Sequence, residues 1–327
     1  MIDQEVLRKL VPNRFPEDEY PGELFSKRPF EGPERWIGAW SAYLRWQLRA
    51  QANEAYFGKR IDRSGFIATG IFRVTRPDEV AVDSNFPIVE GFQFGALFLR
   101  GAPDPEVYRS AIPLEGGRLK APVREAVASI YLHDRSDSDG CIAAVYNDDA
   151  GVPCGITARH VVQRYRRGDR VPLHCSDCGY QARMLRTAPG LIDAASVTLP
   201  CGGPHYRCPP PGQLRSAVEG ETIHLHLGQS GTTACIVMAS VSTPSQIRSA
   251  AIPQHFLTEK HGYPGDSGSL VSSPDAPHLP ADLIGIYLGD NVCEDPDGVL
   301  ATYGFALDIK QAADILGARD VQGVFHD

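Results

Sequence analysis

The string Gly262-Tyr263-Pro264-Gly265-Asp266-Ser267-Gly268-Ser269-Leu270-Val271 admits few local structures. Glycine on either side of Asp266-Ser267 permits a sharp backbone turn, and Leu270-Val271 opens an apolar run straight after it. A serine on such a turn, leading into a strand, can have backbone N–H groups aimed at one point beside its hydroxyl. That is what a nucleophile with an oxyanion site needs. Plain turns also carry Gly-Asp-Ser-Gly, so the string alone is only suggestive.

A serine hydroxyl is a poor nucleophile until a base takes its proton, which calls for a histidine elsewhere. The segment Cys154-Gly155-Ile156-Thr157-Ala158-Arg159-His160-Val161-Val162 supplies one at the end of an apolar run. A carboxylate with little water access must then hold the imidazole. Four aspartates lie between His160 and Ser267: Asp169, Asp177, Asp193 and Asp266. Asp169 sits in a basic stretch, Asp177 in a predicted hairpin tip, and Asp266 beside the serine. Only Asp193, in Leu191-Ile192-Asp193-Ala194-Ala195-Ser196-Val197, has apolar flanks on both sides.

Around these residues the texture is that of many short strands parted by turn signals, predicted at 127–132, 141–146, 171–174, 223–227, 235–239 and 283–288. One short helix is expected over 308–317. Upstream, 33–58 reads as a helix opened by Pro33 and Glu34, with Trp36, Trp40 and Tyr43 on one core-facing stripe or docking surface. Strands are predicted at 66–74, 79–82 and 92–99. The stretch 102–122 holds Pro103, Pro105, Pro113, Gly116, Gly117 and Pro122 and reads as a linker. A boundary near residue 122 therefore divides the chain into 1–122 and 123–327.

Residues from about 125 to 318 resemble the trypsin-like serine proteases of the chymotrypsin fold, in particular the bacterial Deg-type members. Residues 156–162 look like their Thr-Ala-x-His segment, 192–199 like their Asp-Ala-x-x-x-Leu strand, and 265–271 like their Gly-Asp-Ser-Gly-x-x-Val. The order His160, Asp193, Ser267 fits the family. Gly285-Ile286-Tyr287 and Gly304-Phe305-Ala306 are similar to its two later pocket strands. The resemblance implies a mainly β, chymotrypsin-like double six-stranded β-barrel with a short C-terminal helix, preceded by a separate α+β N-terminal domain.

It also implies a serine endopeptidase. Ser267 would attack, His160 would act as base, Asp193 would orient it, and the N–H groups of Gly265 and Ser267 would hold the oxyanion. His261 stands where the family keeps its pocket floor, with Leu288, Gly289 and Asp290 at the pocket edge; a histidine there can favour an acidic side chain or be a loop residue. The family's C-terminal PDZ domain has no counterpart in the few residues after Ala306. Ile88-Val89-Glu90-Gly91 resembles the new N-terminus of activated zymogens, but its distance from His160 reads as coincidence.

Cys175-x-x-Cys178 on a tight turn, with Cys201 and Cys208, offers four thiolates for a structural zinc, against disulfides or free thiols as alternatives. Catalysis itself needs no cofactor. Cys141 and Cys154 read as buried small residues. His224 and His226 alternate on a predicted strand and read as strand surface.

Composition excludes other classes. Lys and Arg number 32 against 40 Asp and Glu, a net charge of −8, which argues against a general nucleic-acid binder. No apolar run suits a membrane helix, and the N-terminus lacks a signal-peptide pattern, so a cytoplasmic location is expected. No Gly-x₄-Gly-Lys-Ser/Thr occurs, and the order of the three residues is wrong for an α/β-hydrolase. The expected partners are a protein or peptide substrate and a regulatory protein at the N-terminal domain. A catalytically inactive binding protein on a protease scaffold is the alternative.

Overall fold

The computed structural model describes residues 66–73, 88–99, 112–114, 117–119, 123–126, 140–174, 181–189, 192–199, 212–242, 254–274, 280–294 and 300–325. The helix expected over 33–58, the strands expected at 79–82 and 127–132, and Cys175, Cys178, Cys201 and Cys208 lie outside them.

Six strands precede the region of the three chemical motifs: β1 (Phe66–Arg73), β2 (Ile88–Val89), β3 (Phe92–Leu99), β4 (Ile112–Leu114), β5 (Gly117–Leu119) and β6 (Val123–Ala126). Strands β2 and β3 form a hairpin that pairs Ile88 with Gln93 and Val89 with Phe92. Its two turn residues, Glu90 and Gly91, both have positive φ, +50° and +78°. That is the type I′ geometry that matches the twist of paired strands. Ile88-Val89-Glu90-Gly91 is thus a hairpin corner. Within the stretch expected as a linker, β4 and β5 form a small antiparallel pair.

The next segment supplies β7 (Ala144–Asn147), β8 (Pro153–Thr157), the short helix α1 (Arg159–Val162), β9 (Arg170–His174), β10 (Gln181–Thr187) and β11 (Ala195–Thr198). It is followed by β12 (Thr222–Leu227), β13 (Gly231–Ser242), β14 (Gln254–Thr258), β15 (Leu270–Ser272), β16 (Leu283–Glu294) and β17 (Leu300–Asp308). The helix α2 (Ile309–Leu316) and the strand β18 (Gln322–Gly323) come last.

One six-stranded sheet has the order β18-β7-β8-β11-β10-β9. In the other sheet six strands close on themselves: β12 pairs β13, β13 pairs β14, β14 pairs β17, β17 pairs β16, β16 pairs β15, and β15 returns to β12. Two such antiparallel units and a C-terminal helix make a chymotrypsin-like double β-barrel.

Residue alternation divides the core into three parts. Ile142, Val145, Val171, Leu173, Met184 and Val197 pack inside the first unit. Ile223, Leu225 and Leu227, at every second position of β12, pack inside the second with Val237, Phe256 and Val271. The third cluster joins the units, bringing Ala143, Tyr146 and Ile156 of the first against Leu257, Leu270 and Leu307 of the second. Helix α2 adds Ile309, Ala312, Ala313 and Leu316 to this interface, an i, i+3, i+4, i+7 face. Asp308 caps it by accepting the Gln311 N–H at 3.0 Å, and Gly317 ends it in the left-handed conformation at φ +61°.

His224 and His226 do share the other face of β12, but the reading of both as strand surface needs correction. His226 is buried. Its ring packs edge-on to Phe325 and exchanges hydrogen bonds with Ser272 Oγ at 2.8 Å and Thr232 Oγ1 at 3.2 Å.

Backbone pairing also crosses residue 122. Strand β1 pairs with the far end of β13 and with β3, β3 runs parallel to β6, and β6 pairs with the far end of β16. Among the described residues no helix is long and apolar enough to cross a membrane.

Candidate active site

Strand β8 delivers Thr157 to the interface between the two units, and the chain turns there through Ala158 into α1, whose second residue is His160. Asp193 lies just before β11, the strand paired with β8. Sheet pairing therefore brings residues 33 apart in sequence into contact. Asp193 Oδ2 stands 2.8 Å from His160 Nδ1, and Oδ1 accepts the backbone N–H of His160 at 2.9 Å.

The carboxyl is 2% exposed, low enough that desolvation is the largest influence on it and works to raise its pKa. The hydrogen bonds and charge of His160, with Arg159 nearby, outweigh that influence and hold the group below the usual carboxylate range. An ionised carboxylate only accepts, so Nδ1 carries a proton and donates it to Asp193.

Ser267 occupies the turn entering β15. Its Oγ–H donates to the Leu288 carbonyl at 3.1 Å. The flanking glycines have φ +100° at Gly265 and +92° at Gly268, a region that L side chains rarely adopt. At Gly268 a Cβ would also stand 2.2 Å from the Cys141 carbonyl oxygen. The N–H groups of Gly265 and Ser267 donate to no acceptor among the described residues, while Gly268 N–H is taken by Tyr287 O at 2.7 Å.

Two residues that sequence reasoning missed assemble this turn. Cys141 N–H donates to Ser267 O at 2.8 Å, its carbonyl accepts the Thr157 hydroxyl at 2.6 Å, and its thiol reaches Gly265 O at 3.4 Å. One residue thus ties the histidine-bearing segment to both sides of the serine turn. Asp266 is wholly buried and accepts from Gln229 N–H at 2.7 Å, Ser230 Oγ at 2.5 Å and Tyr263 N–H at 2.8 Å. Its carboxylate braces the turn against the β12–β13 hairpin. For Asp266 the only signal in the sequence is its place inside the glycine-rich string, and Cys141, far from it in the chain, carries none.

The expected pocket residues meet as well. His261 Nδ1 lies 3.5 Å from the Asp290 carboxylate, and Leu288 contacts Ser267 through its carbonyl. Gly289, at φ +146°, follows Leu288 in β16. Tyr287, which the sequence placed on a pocket strand without a role of its own, joins them: its buried hydroxyl donates to Asp290 and accepts the Gly262 N–H at 2.6 Å. Burial, then the Asp290 charge, push this phenol above its usual range, and burial also raises the Asp290 carboxyl. His261 borders a cavity of ≈ 570 Å³ whose walls include Leu227, Ser230, Met238, Lys260 and Tyr263.

Among the described residues no three His, Cys, Asp or Glu side chains gather as metal ligands. Cys141, Cys154 and Cys235 are free and buried.

No protein-family model matches the chain, and no curated protein matches it. Solved structures do. A glutamic-acid-specific serine protease is 17% identical at a TM-score of 0.40, covering 57% of this chain and 93% of its own. Thermobifida fusca protease A is 15% identical at 0.39, covering 57% and 91%. The HtrA-type protease AlgW with a decapeptide is 15% identical at 0.33, covering 82% and 66%. The chymotrypsin-like arrangement follows from this chain's own strand pairing.

Proposed function

We propose that the chain is a serine endopeptidase acting on protein or peptide substrates through an acyl-enzyme. The observation that carries the reading is the buried Asp193 carboxylate holding His160 by both its ring and its backbone, with Cys141 tying that segment to the Ser267 turn. An imidazole whose Nδ1 is held by a carboxylate turns Nε2 to the task of base that a serine needs. Ser267 Oγ forms a bond to the peptide carbonyl carbon as its proton passes to Nε2, and the carbonyl oxygen becomes an oxyanion. The N–H groups of Gly265 and Ser267 supply donors for that charge, each contributing about 3 kcal/mol in comparable sites. As the C–N bond breaks, His160 returns the proton to the leaving amine, and water then releases the acyl group by the same steps.

A second reading has one observation in its favour. The Ser267 hydroxyl donates to Leu288 O, so its proton must be redirected before attack. A protein that never makes this change would be a binding module on a protease scaffold.

The pairing of β1 with β13, and of β3 with β6, which in turn pairs β16, supports a regulatory role for residues 1–122, because it links that segment to the sheet that Ser267 leads into. Three free thiols fit a reducing, cytoplasmic setting. A structural zinc on Cys175, Cys178, Cys201 and Cys208 remains part of the proposal, read out by metal content.

The test is a fluorophosphonate probe on the full chain beside Ser267→Ala, with adduct mapping by mass spectrometry and casein hydrolysis in parallel. Adduct at Ser267 with hydrolysis lost in the variant is expected. An unlabelled Ser267 in folded protein favours the binding module.

A further inference from the structure

Four arginines and one aspartate fall within residues 164–170, a net charge of +3 in a chain of net −8. This stretch leaves α1, the helix that carries His160, and runs into β9. Its turn is pinned from two directions. Asp169 Oδ2 accepts the Arg166 backbone N–H at 2.8 Å, and the Asp169 N–H donates to Arg166 O at 3.0 Å. Gly168 N–H donates to Met184 O at 2.8 Å and Met184 N–H to Asp169 O at 2.9 Å, which ties the turn to β10.

Strand pairing then sets Arg170 of β9 directly opposite Arg183 of β10. Like charges facing each other across a sheet destabilise it. Among the described residues no carboxylate forms an ion pair with Arg166, Arg167, Arg170 or Arg183, and all four are exposed. Arg183 Nη1 donates instead to Gly168 O at 3.0 Å, and the Asp169 carboxylate is taken by a backbone N–H. Four guanidinium groups thus stand on one braced corner of the first unit, and their forked donors suit carboxylates.

The corner is near the chemistry. Arg166 follows His160 by six residues, so the chain between them spans at most about 21 Å. An extended polypeptide covers that distance in about six residues.

We propose that Arg166, Arg167, Arg170 and Arg183 dock an acidic segment of the polypeptide cleaved at Ser267, a segment within about six residues of the cut bond. The proposal rests on the endopeptidase reading and adds a docking surface outside its catalytic groups. Charge favours this occupant over a nucleic acid. A long polyanion would meet the net negative remainder of the chain beyond the corner, whereas a short acidic segment would not.

The test uses full-length Ser267→Ala and the fluorescein-labelled decapeptides (Glu-Gly)5 and (Gln-Gly)5. Fluorescence anisotropy should give a Kd about tenfold tighter for the acidic peptide, the scale of a few exposed ion pairs. The preference should shrink severalfold between about 50 and 150 mM NaCl. With Arg166, Arg167, Arg170 and Arg183 all changed to Gln it should vanish, while Lys310→Gln on α2 keeps it. If the fourfold variant does not fold by circular dichroism, Arg167→Gln, Arg170→Gln decides, with an expected loss of about threefold. An equal Kd for the two peptides, or a preference that survives the arginine changes, overturns the proposal. So does tighter binding of a thymidine hexanucleotide, since that makes the corner a nucleic-acid surface. In the wild type, (Glu-Gly)5 joined to one end of a cleaved casein peptide should lower KM relative to (Gln-Gly)5 and leave kcat unchanged. An unchanged KM from both ends overturns the proposal. Probe labelling separates the two ideas: a labelled Ser267 without the acidic preference fells only the docking surface, and the preference with an unlabelled Ser267 fells only the hydrolase.

Discussion

Both oxygens of the Asp193 carboxylate are engaged by His160, one by the ring Nδ1 at 2.8 Å and the other by the backbone N–H at 2.9 Å. An amide at this position offers one acceptor where two are used. In Asp193→Asn the oxygen is expected to keep one bond while the NH₂ group turns the imidazole to the wrong tautomer. Steady-state hydrolysis should fall about 10³- to 10⁴-fold with folding retained. The pH dependence has a defined sign. The folded pKa of Asp193 is depressed, so its stabilisation is present above the ordinary aspartate pKa of about 3.9 and fades as pH falls through the lower folded value. Urea midpoints of wild type and Asp193→Asn should therefore differ at pH 6 and converge only in acid well below pH 4. A difference that vanishes already at pH 5 would mean that the Asp193 carboxyl is not held below its ordinary range.

Asp266 supports a second prediction. Its three donors come from Gln229, Ser230 and Tyr263, exposed residues whose bonds converge on one buried carboxylate. Asp266→Ala removes all three bonds, each worth about 1 kcal/mol net where water can take the acceptor's place, so a loss of about 3 kcal/mol is expected in chemical denaturation. At temperatures where the variant stays folded, the rate of labelling at Ser267 should drop more than tenfold, because the turn loses its brace. Unchanged labelling would mean that the turn holds its shape without the carboxylate.

What the sequence discloses, and what it hides, follows the range of the interactions. Strand β12 is legible because Ile223, Leu225 and Leu227 alternate, and α2 because Asp308 and Gly317 are local start and stop signals. Asp193 is legible through its apolar flanks. Cys141 and Asp266 are not, since their partners lie far off in the chain, 124 residues away for Gly265 and 37 for Gln229. Most of those contacts are made to backbone groups, which every residue carries. Strands β13 and β16 outrun their expected spans, 235–239 and 283–288, for a related reason. Their far ends are paired by β1 and β6, and that pairing leaves no periodic mark in β13 or β16 themselves. His226 reads as surface because its cover, Phe325, lies near the other end of the chain.

The thiols give a third prediction. Burial raises the pKa of Cys141 and Cys154 and pushes Cys235 up to about 12. Thiolate is the reactive form, so all three should resist iodoacetamide at pH 8 in native protein. In 6 M guanidinium they should react at the rate of a free cysteine. Rapid native alkylation at Cys141 would contradict its burial between Gly228 and the Ser267 turn.

His255 sets the acid limit of the second barrel. The ring lies against Phe305 with centroids 4.6 Å apart, and burial lowers its pKa to about 4. An unfolded histidine titrates near 6.5, so between those values the unfolded chain binds a proton that the native one does not. Stability must then fall as pH drops from about 6.5 toward 4, with no contribution from this group above that window. The shift corresponds to about 3 kcal/mol at the lower end. In His255→Phe that share of the slope should disappear, because phenylalanine keeps an aromatic face against Phe305 and takes no proton. Urea unfolding at pH 7.5, 6 and 5 measures it directly. A wild-type slope equal to that of the variant across this range would mean that the imidazole titrates alike in both states and is not held neutral by the core.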